Sequence, residues 1–346
     1  MSKERESQID ILRGVAVFTM ICANMAPSLL RPPHPFGIRI YGTFAAPIFI
    51  FLSGMMIAMV MAKRREPFSY FAGRGVTLMA IASLMDMGLY HVMPMICVDV
   101  LCLIGLSLMV IFPLMRLDFK WRILLAVFIF VATPLLHSHF GYSREYFYAF
   151  LKDGVWALSG KSFLILRNWL LQAAFPLFPW MGYAMMGSAV GAFRWGSGRL
   201  QSFNSPVAWA GSLSLLVLGV IVFLAAPGPL MIRFYYSELF YPPTMGFFLT
   251  SFGVIGCLFC LVDRFPGLPA FQWLRPFGES SLFVYVTHYV IIRLLLVPLM
   301  GLQPLGIFLV LYAALAIVLY LLCLLLRRLR PLVARLPMPL RLVFGT

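Results

Sequence analysis

Apolar residues along this chain come in long blocks rather than in alternating or striped patterns. Ten blocks each approach the ~20 residues that an α-helix needs to cross a hydrocarbon core. They cover approximately residues 11–30, 40–62, 74–92, 96–115, 121–137, 171–193, 206–226, 244–262, 278–300 and 304–327. The breaks between them carry proline, glycine or charge: Pro32-Pro33, Lys63-Arg64-Arg65, Asp118 with Lys120, Arg194 to Arg199, Pro227 to Pro229, and Asp263 to Pro266. Inside a bilayer the backbone has no water to bond, so blocks of this length are read as helices. The pattern predicts an all-α, polytopic integral membrane bundle of about ten transmembrane helices in a single domain, 1–346. The longest gap, 138–170, sets Arg144, Glu145, Lys152, Asp153, Lys161 and Arg167 among aromatics. It is predicted to be an external segment with room for an interfacial amphipathic helix.

Composition supports the membrane reading. Of 346 residues, 62% are hydrophobic and 11% charged, against roughly 45–50% and 25% in ordinary globular chains. Mean hydropathy is +0.93. A soluble protein could not hide that much apolar surface, and disorder or a secreted disulfide scaffold fits no better. The formal net charge of +15 would suggest nucleic acid on a soluble protein. Here it asks for a topology. Ten spans put both termini on one side; with that side taken as cytoplasmic, 19 Lys and Arg fall on cytoplasmic segments and 8 elsewhere, Arg293 in mid-span among the 8. That bias follows the positive-inside rule and excludes nucleic acid as the expected partner. No cleavable signal peptide is visible at Met1 to Ser7. The six cysteines lie in or beside apolar runs, and the Cys257/Cys260 pair lacks a second ligand pair. They are read as packing residues, with no metal expected.

Polar groups inside apolar spans are costly, which makes each a candidate site. Asp10 and Arg13 sit at i, i+3 at the start of the first span, where they can pair or anchor an anion at the cytoplasmic mouth. Asn24 lies near the other end of that span, as helix–helix glue or as part of a site. His34 follows in the stiff loop Pro32-Pro33-His34-Pro35, and an imidazole suits general-base work near neutral pH. Ser281, Tyr285 and His288, at i, i+4, i+7, form one polar stripe on the ninth span. Asp86 and His91 in the third span, and Asp99 at the start of the fourth, are further candidates. Arg293 needs a partner that sequence does not name.

Five stretches are familiar together: IDILRGVAVFTMICAN, FAAPIFIFLSG, FPWMGYAMMGSAVG, YPPTMGFFLTSFG and FGESSLFVYVTH. In this order and spacing the chain resembles the heparan-α-glucosaminide N-acetyltransferase catalytic-domain family of the transmembrane acyltransferase superfamily. The resemblance runs from the first helix to the ninth. It implies transfer of an acetyl or other acyl group from cytoplasmic acyl-CoA, as co-substrate, to an amino sugar or sugar hydroxyl on the far side of the membrane. The lysosomal member uses an Asn near the end of its first helix and a His in the following loop. Asn24 and His34 occupy those positions, and Tyr285, Val286 and His288 match the closing Tyr-Val-x-His pattern. Two departures concern the acceptor. This chain has Ala45 and Ala46 where the lysosomal form has an acid, and its external segments differ. The lysosomal form's luminal domain also has no counterpart in this sequence.

On this reading the donor phosphates would rest on Arg13, Lys63, Arg64, Arg65 and Arg74 beside Asp10. His34 would deprotonate the acceptor, and Asn24 would orient it or donate to the oxyanion. Direct attack in a ternary complex is preferred over an acyl-histidine intermediate. Ser281, Tyr285, His288, Asp86 and His91 would line the pocket. Two other classes share the buried polar residues: a transporter or flippase for a small anion or lipid-linked sugar, and a scaffold or sensor without turnover. The compact loops suggest a prokaryotic inner membrane. Lipid-facing helices are compatible with a homodimer.

Overall fold

The computed structural model describes residues 6–143, 147–196, 200–227 and 238–345. Lys3, Arg5, Arg144, Glu145, Arg199 and Arg233, all weighed above by charge, lie outside them. The described residues form helices and turns, with two isolated β-bridges. The helices are α1 (Ser7–Leu29), α2 (Phe36–Thr43), α3 (Ala45–Arg64), α4 (Phe68–Met85), α5 (Val100–Leu114), α6 (Phe119–Phe140), α7 (Ser162–Arg167), α8 (Leu177–Trp195), α9 (Pro206–Ala225), α10 (Met245–Arg264), α11 (Pro269–Glu279), α12 (Ser281–Ile291), α13 (Val297–Met300), α14 (Leu305–Val333) and α15 (Met338–Val343).

Eight helical segments among the described residues are long and apolar enough to cross a membrane. Each coincides with one of the ten expected blocks. The other two blocks are also helical, but α5 has only 15 residues. The remaining one, α8, is not among the eight; it mixes Trp180, Tyr183, Ser188, Arg194 and three glycines into its apolar run. The chain is thus a polytopic helical membrane protein. The 138–170 gap holds no long amphipathic helix among its described residues. Short 3₁₀ turns at Leu151–Asp153 and Val155–Leu158 precede the six-residue α7. Gly154 and Gly160, at φ 65° and 69°, adopt a left-handed conformation that stops a helix from propagating.

The chain divides into two compact units, one comprising residues 1–48 and 202–346 and the other 49–201. In the first, α1 and α11 touch backbone to backbone. A Cβ on Gly14 would sit 2.1 Å from the Leu274 carbonyl oxygen, and one on Gly278 would sit 1.7 Å from that of Asp10. Only glycine permits that approach, the usual device for packing helices where lipid provides no hydrophobic drive. The loop after α1 is tied down as well. Leu30 bridges Gln303, with Arg31 N–H to the Gln303 carbonyl at 2.9 Å and Gln303 N–H to Leu29 at 2.7 Å. By contrast α9 presents long apolar side chains outward, among them Val207, Val217, Ile221 and Leu224, as a lipid-facing helix should.

In the second unit, α3 crosses α8 at Gly54 and Gly187, where a Cβ would meet the Ala184 and Phe51 carbonyl oxygens. Arg122 on α6 is buried. Its Nη1 donates to the Ser188 carbonyl at 2.8 Å and to Ser188 Oγ at 3.3 Å. These bonds partly repay the cost of taking a guanidinium out of water.

Candidate functional site

At the Asn24 end of the first unit the fold gathers residues from α1, the loop after it, α2, α12 and the 238–241 segment. The anchor is His288, fully buried on α12. Its Nδ1 lies 2.8 Å from the Val284 carbonyl one turn earlier. A carbonyl only accepts, so Nδ1 carries the proton and Nε2 is left as an acceptor. Asn24 Nδ2 donates to that Nε2 at 2.9 Å, and this fixes which way the amide faces. Among the described residues the second amide N–H and the Asn24 oxygen make no further hydrogen bond.

His34 presents the complementary state. Pro32 and Pro33 are exposed, but the His34 side chain turns inward and is only 6% exposed. Its Nε2–H donates to the Leu30 carbonyl at 3.1 Å, the residue that Gln303 pins. The imidazole is therefore the Nε2–H tautomer. Its Nδ1 is buried and finds no hydrogen-bond partner among the described residues, leaving a lone pair that can take a proton. Burial pushes the His34 pKa below the ordinary imidazole value. The Leu30 hydrogen bond opposes this and the nearby Arg39 charge adds to it. The ring is neutral at physiological pH.

Several residues here are not among the candidates drawn from the sequence. Glu238, buried, lies within electrostatic reach of Arg39 and of Cys22. Thr43 Oγ1 accepts from the Leu239 backbone N–H at 3.0 Å, tying the segment after Glu238 to the end of α2. Tyr312 donates to the Phe18 carbonyl, and Tyr41 pairs with the Tyr312 hydroxyl, both at 2.9 Å. Glu238 is separated from α2 by some 200 residues, so spacing could not have joined them. A rule that every acid near an apolar span deserves attention would have flagged it.

The other expected residues are distributed as follows. Tyr285 is buried with its ring 5.7 Å from that of His288, so two members of the polar stripe meet, while Ser281 is half-buried at the far end of α12. Arg293 lies half-buried on a π-helical turn, Ile292–Leu296. Asp10 is buried and Arg13 half-buried on the first turns of α1. Lys63, Arg64, Arg65 and Arg74 belong to the second unit. The first three are exposed, and Arg74 stacks on Tyr70 at 5.3 Å. Asp86 and His91 are in the second unit too. Asp86 is buried, opens a π-helical turn and is electrostatically coupled to Asp99, which caps α5 through the Cys102 N–H at 2.8 Å. His91 is exposed at φ 54°. Among the described residues no group of three or more His, Cys, Asp or Glu is placed to hold a metal ion.

One end of α1 thus carries a buried histidine in the loop that follows it and a histidine–asparagine pair between α1 and α12. This chain belongs to the heparan-alpha-glucosaminide N-acetyltransferase catalytic family, whose model matches residues 5–222. It is accordingly an integral membrane protein of acetyltransferase type. The match takes in Asn24 and His34, while the stretches at 241–253 and 277–288, with His288, lie beyond it. No curated protein matches the chain.

Proposed function

We propose that this protein transfers an acetyl group from acyl-CoA, presented on the cytoplasmic side, to the amine or hydroxyl of a sugar on the opposite side of the membrane, an amino sugar first among acceptors. The observation that carries the proposal is the buried Nδ1 of a neutral His34, which has no hydrogen-bond partner among the described residues.

In this reading both termini are cytoplasmic, and the Asp10–Arg13 end of α1 faces the donor's nucleotide. Fourteen residues separate Asp10 from Asn24, about 21 Å of helix. An extended acyl-bearing arm entering at one end would bring its thioester toward the histidines at the other. His34 Nδ1 takes the proton from the acceptor nitrogen or oxygen as that atom bonds to the thioester carbonyl carbon. The carbonyl oxygen becomes an oxyanion, and the second N–H of Asn24 supports it; one such donor is typically worth about 3–4 kcal/mol. Collapse breaks the carbon–sulfur bond, and the proton held by His34 passes to the departing CoA sulfur. His288 keeps Asn24 in the donating orientation. We place the protein in a prokaryotic inner membrane, with a homodimer compatible with its outward apolar helices.

The test is a sidedness assay in proteoliposomes, with labelled acetyl-CoA on one face and glucosamine on the other. Label should reach the sugar, and His34→Ala should abolish transfer while CoA still binds. Unaltered transfer in His34→Ala would overturn the assignment.

A further inference from the structure

At the opposite end of the first unit from Asn24, the Glu279 side chain is 2% exposed and meets the guanidiniums of Arg275, Arg327 and Arg330. Arg275 Nε lies 2.9 Å from Oε1 and Arg327 Nε 3.3 Å from Oε2; Arg330 Nη2 also bonds to Oε2. Arg275 is one turn earlier on the same helix, α11. Arg327 and Arg330 are neighbours on one face of α14. The close approach of Gly278 to the Asp10 carbonyl fixes Glu279 against the first turns of α1, which also carry Arg13.

We propose that Arg275, Arg327 and Arg330, held on Glu279, form a phosphate-binding seat, its ligand being the phosphates of the CoA nucleotide or an anionic lipid headgroup. For CoA the inference rests on the acyl-transfer reading. One guanidinium would neutralise Glu279 and bond it in bidentate fashion; three leave an excess of two positive charges. Three guanidiniums carry roughly fifteen N–H donors, and a carboxylate offers about four acceptor sites. Most donors are therefore directed elsewhere. The three side chains are 28%, 42% and 34% exposed, so a ligand can reach them, whereas the carboxylate that positions them is sealed. Arginine's planar fork suits phosphate oxygens better than lysine's point charge. A fixed carboxylate behind the forks lowers the ordering cost of binding. The basic residues favoured by sequence, Lys63 to Arg65, are by contrast exposed side chains at a helix end.

The experiment measures binding to purified, folded protein in nanodiscs, comparing wild type with Arg327→Gln/Arg330→Gln. Arg275 stays in place so that Glu279 keeps a partner. The probes are CoA, dephospho-CoA, and phosphatidylglycerol against phosphatidylcholine in vesicles. If the seat takes the nucleotide, wild type binds CoA at least about tenfold more tightly than dephospho-CoA, and the double variant loses both affinity and discrimination. If it takes lipid, the variant keeps CoA affinity and loses its preference for phosphatidylglycerol. Arg327→Lys/Arg330→Lys, which retains the charge and the contact with Glu279, should recover only part of either loss, and it separates a binding defect from misfolding. Wild-type affinity for CoA and for anionic vesicles in the Gln variant would overturn the proposal while leaving the acyl-transfer reading intact. Absence of CoA binding to wild type, with a lipid preference that the variant abolishes, would do the reverse.

Discussion

The Asn24–His288 contact allows a quantitative test of whether α1 and α12 form one polar device. The perturbation is a double-mutant cycle with Asn24→Ala, His288→Ala and the pair. His288 is fully buried, and its two ring nitrogens serve two different partners at 2.8 and 2.9 Å. Removing it frees the Val284 carbonyl, which already serves its own helix, and leaves one Asn24 N–H without an acceptor. Leaving a buried donor unsatisfied costs about 1–3 kcal/mol. Interhelical hydrogen bonds in membranes measure lower, averaging about 0.6 and reaching about 1.7 kcal/mol, because the unfolded chain also finds partners. With both geometries near ideal and His288 fully buried, the expected coupling lies toward the upper value, about 1–1.5 kcal/mol, close to tenfold in an equilibrium constant. The assay is reversible unfolding in mixed micelles for all four proteins, with transfer activity measured in parallel. Each single variant should lose about the same stability, and the double variant little more. In activity, His288→Ala should repeat the Asn24→Ala defect and add nothing to it. Additivity within about 0.3 kcal/mol, or activity intact in His288→Ala, would refute a shared device.

Further expectations concern the base and the packing. Loss of general-base catalysis in His34→Gln should lower turnover by about 10²–10⁴-fold with donor affinity retained, read from single-turnover transfer. Because burial and Arg39 hold the His34 pKa down, the neutral base persists as pH falls through about 6.5, the ordinary imidazole value. The acid limb of kcat/KM therefore lies below that pH, and Arg39→Gln, which removes a repelling cation, should move it upward. The same depression links stability to pH. A folded-state pKa below the unfolded value contributes stability above about pH 6.5 that is lost as pH falls through the folded pKa, so acid should lower the melting temperature of wild type more than that of His34→Gln. Gly278→Ala places a methyl 1.7 Å from the Asp10 carbonyl oxygen and must separate α1 from α11, a cost of about 1–3 kcal/mol visible as a lowered thermal midpoint.

The sequence alone determined what a one-dimensional pattern can hold. Apolar block length reports membrane crossing because the bilayer imposes a fixed thickness and tolerates no unpaired backbone, so the all-helical, polytopic class and the positions of all ten helical blocks were legible. Asn24 and His34 stood out because polar residues at span ends and in stiff loops are few. The resemblance across the first helices agreed with the family to which the chain belongs. Tertiary structure decided the pairings. His34, ten residues after Asn24 in sequence, bonds Leu30, and Asn24 instead bonds His288, 264 residues away. Glu279 appeared within a recognisable motif, yet its role required Arg327 and Arg330 to arrive from α14. Which nitrogen of a histidine carries its proton depends on the carbonyl it meets, and spacing along the chain contains no such information. Hydropathy integrates over some twenty residues and survives small errors, whereas a hydrogen bond is a matter of tenths of an ångström between helices that meet only once the bundle has folded.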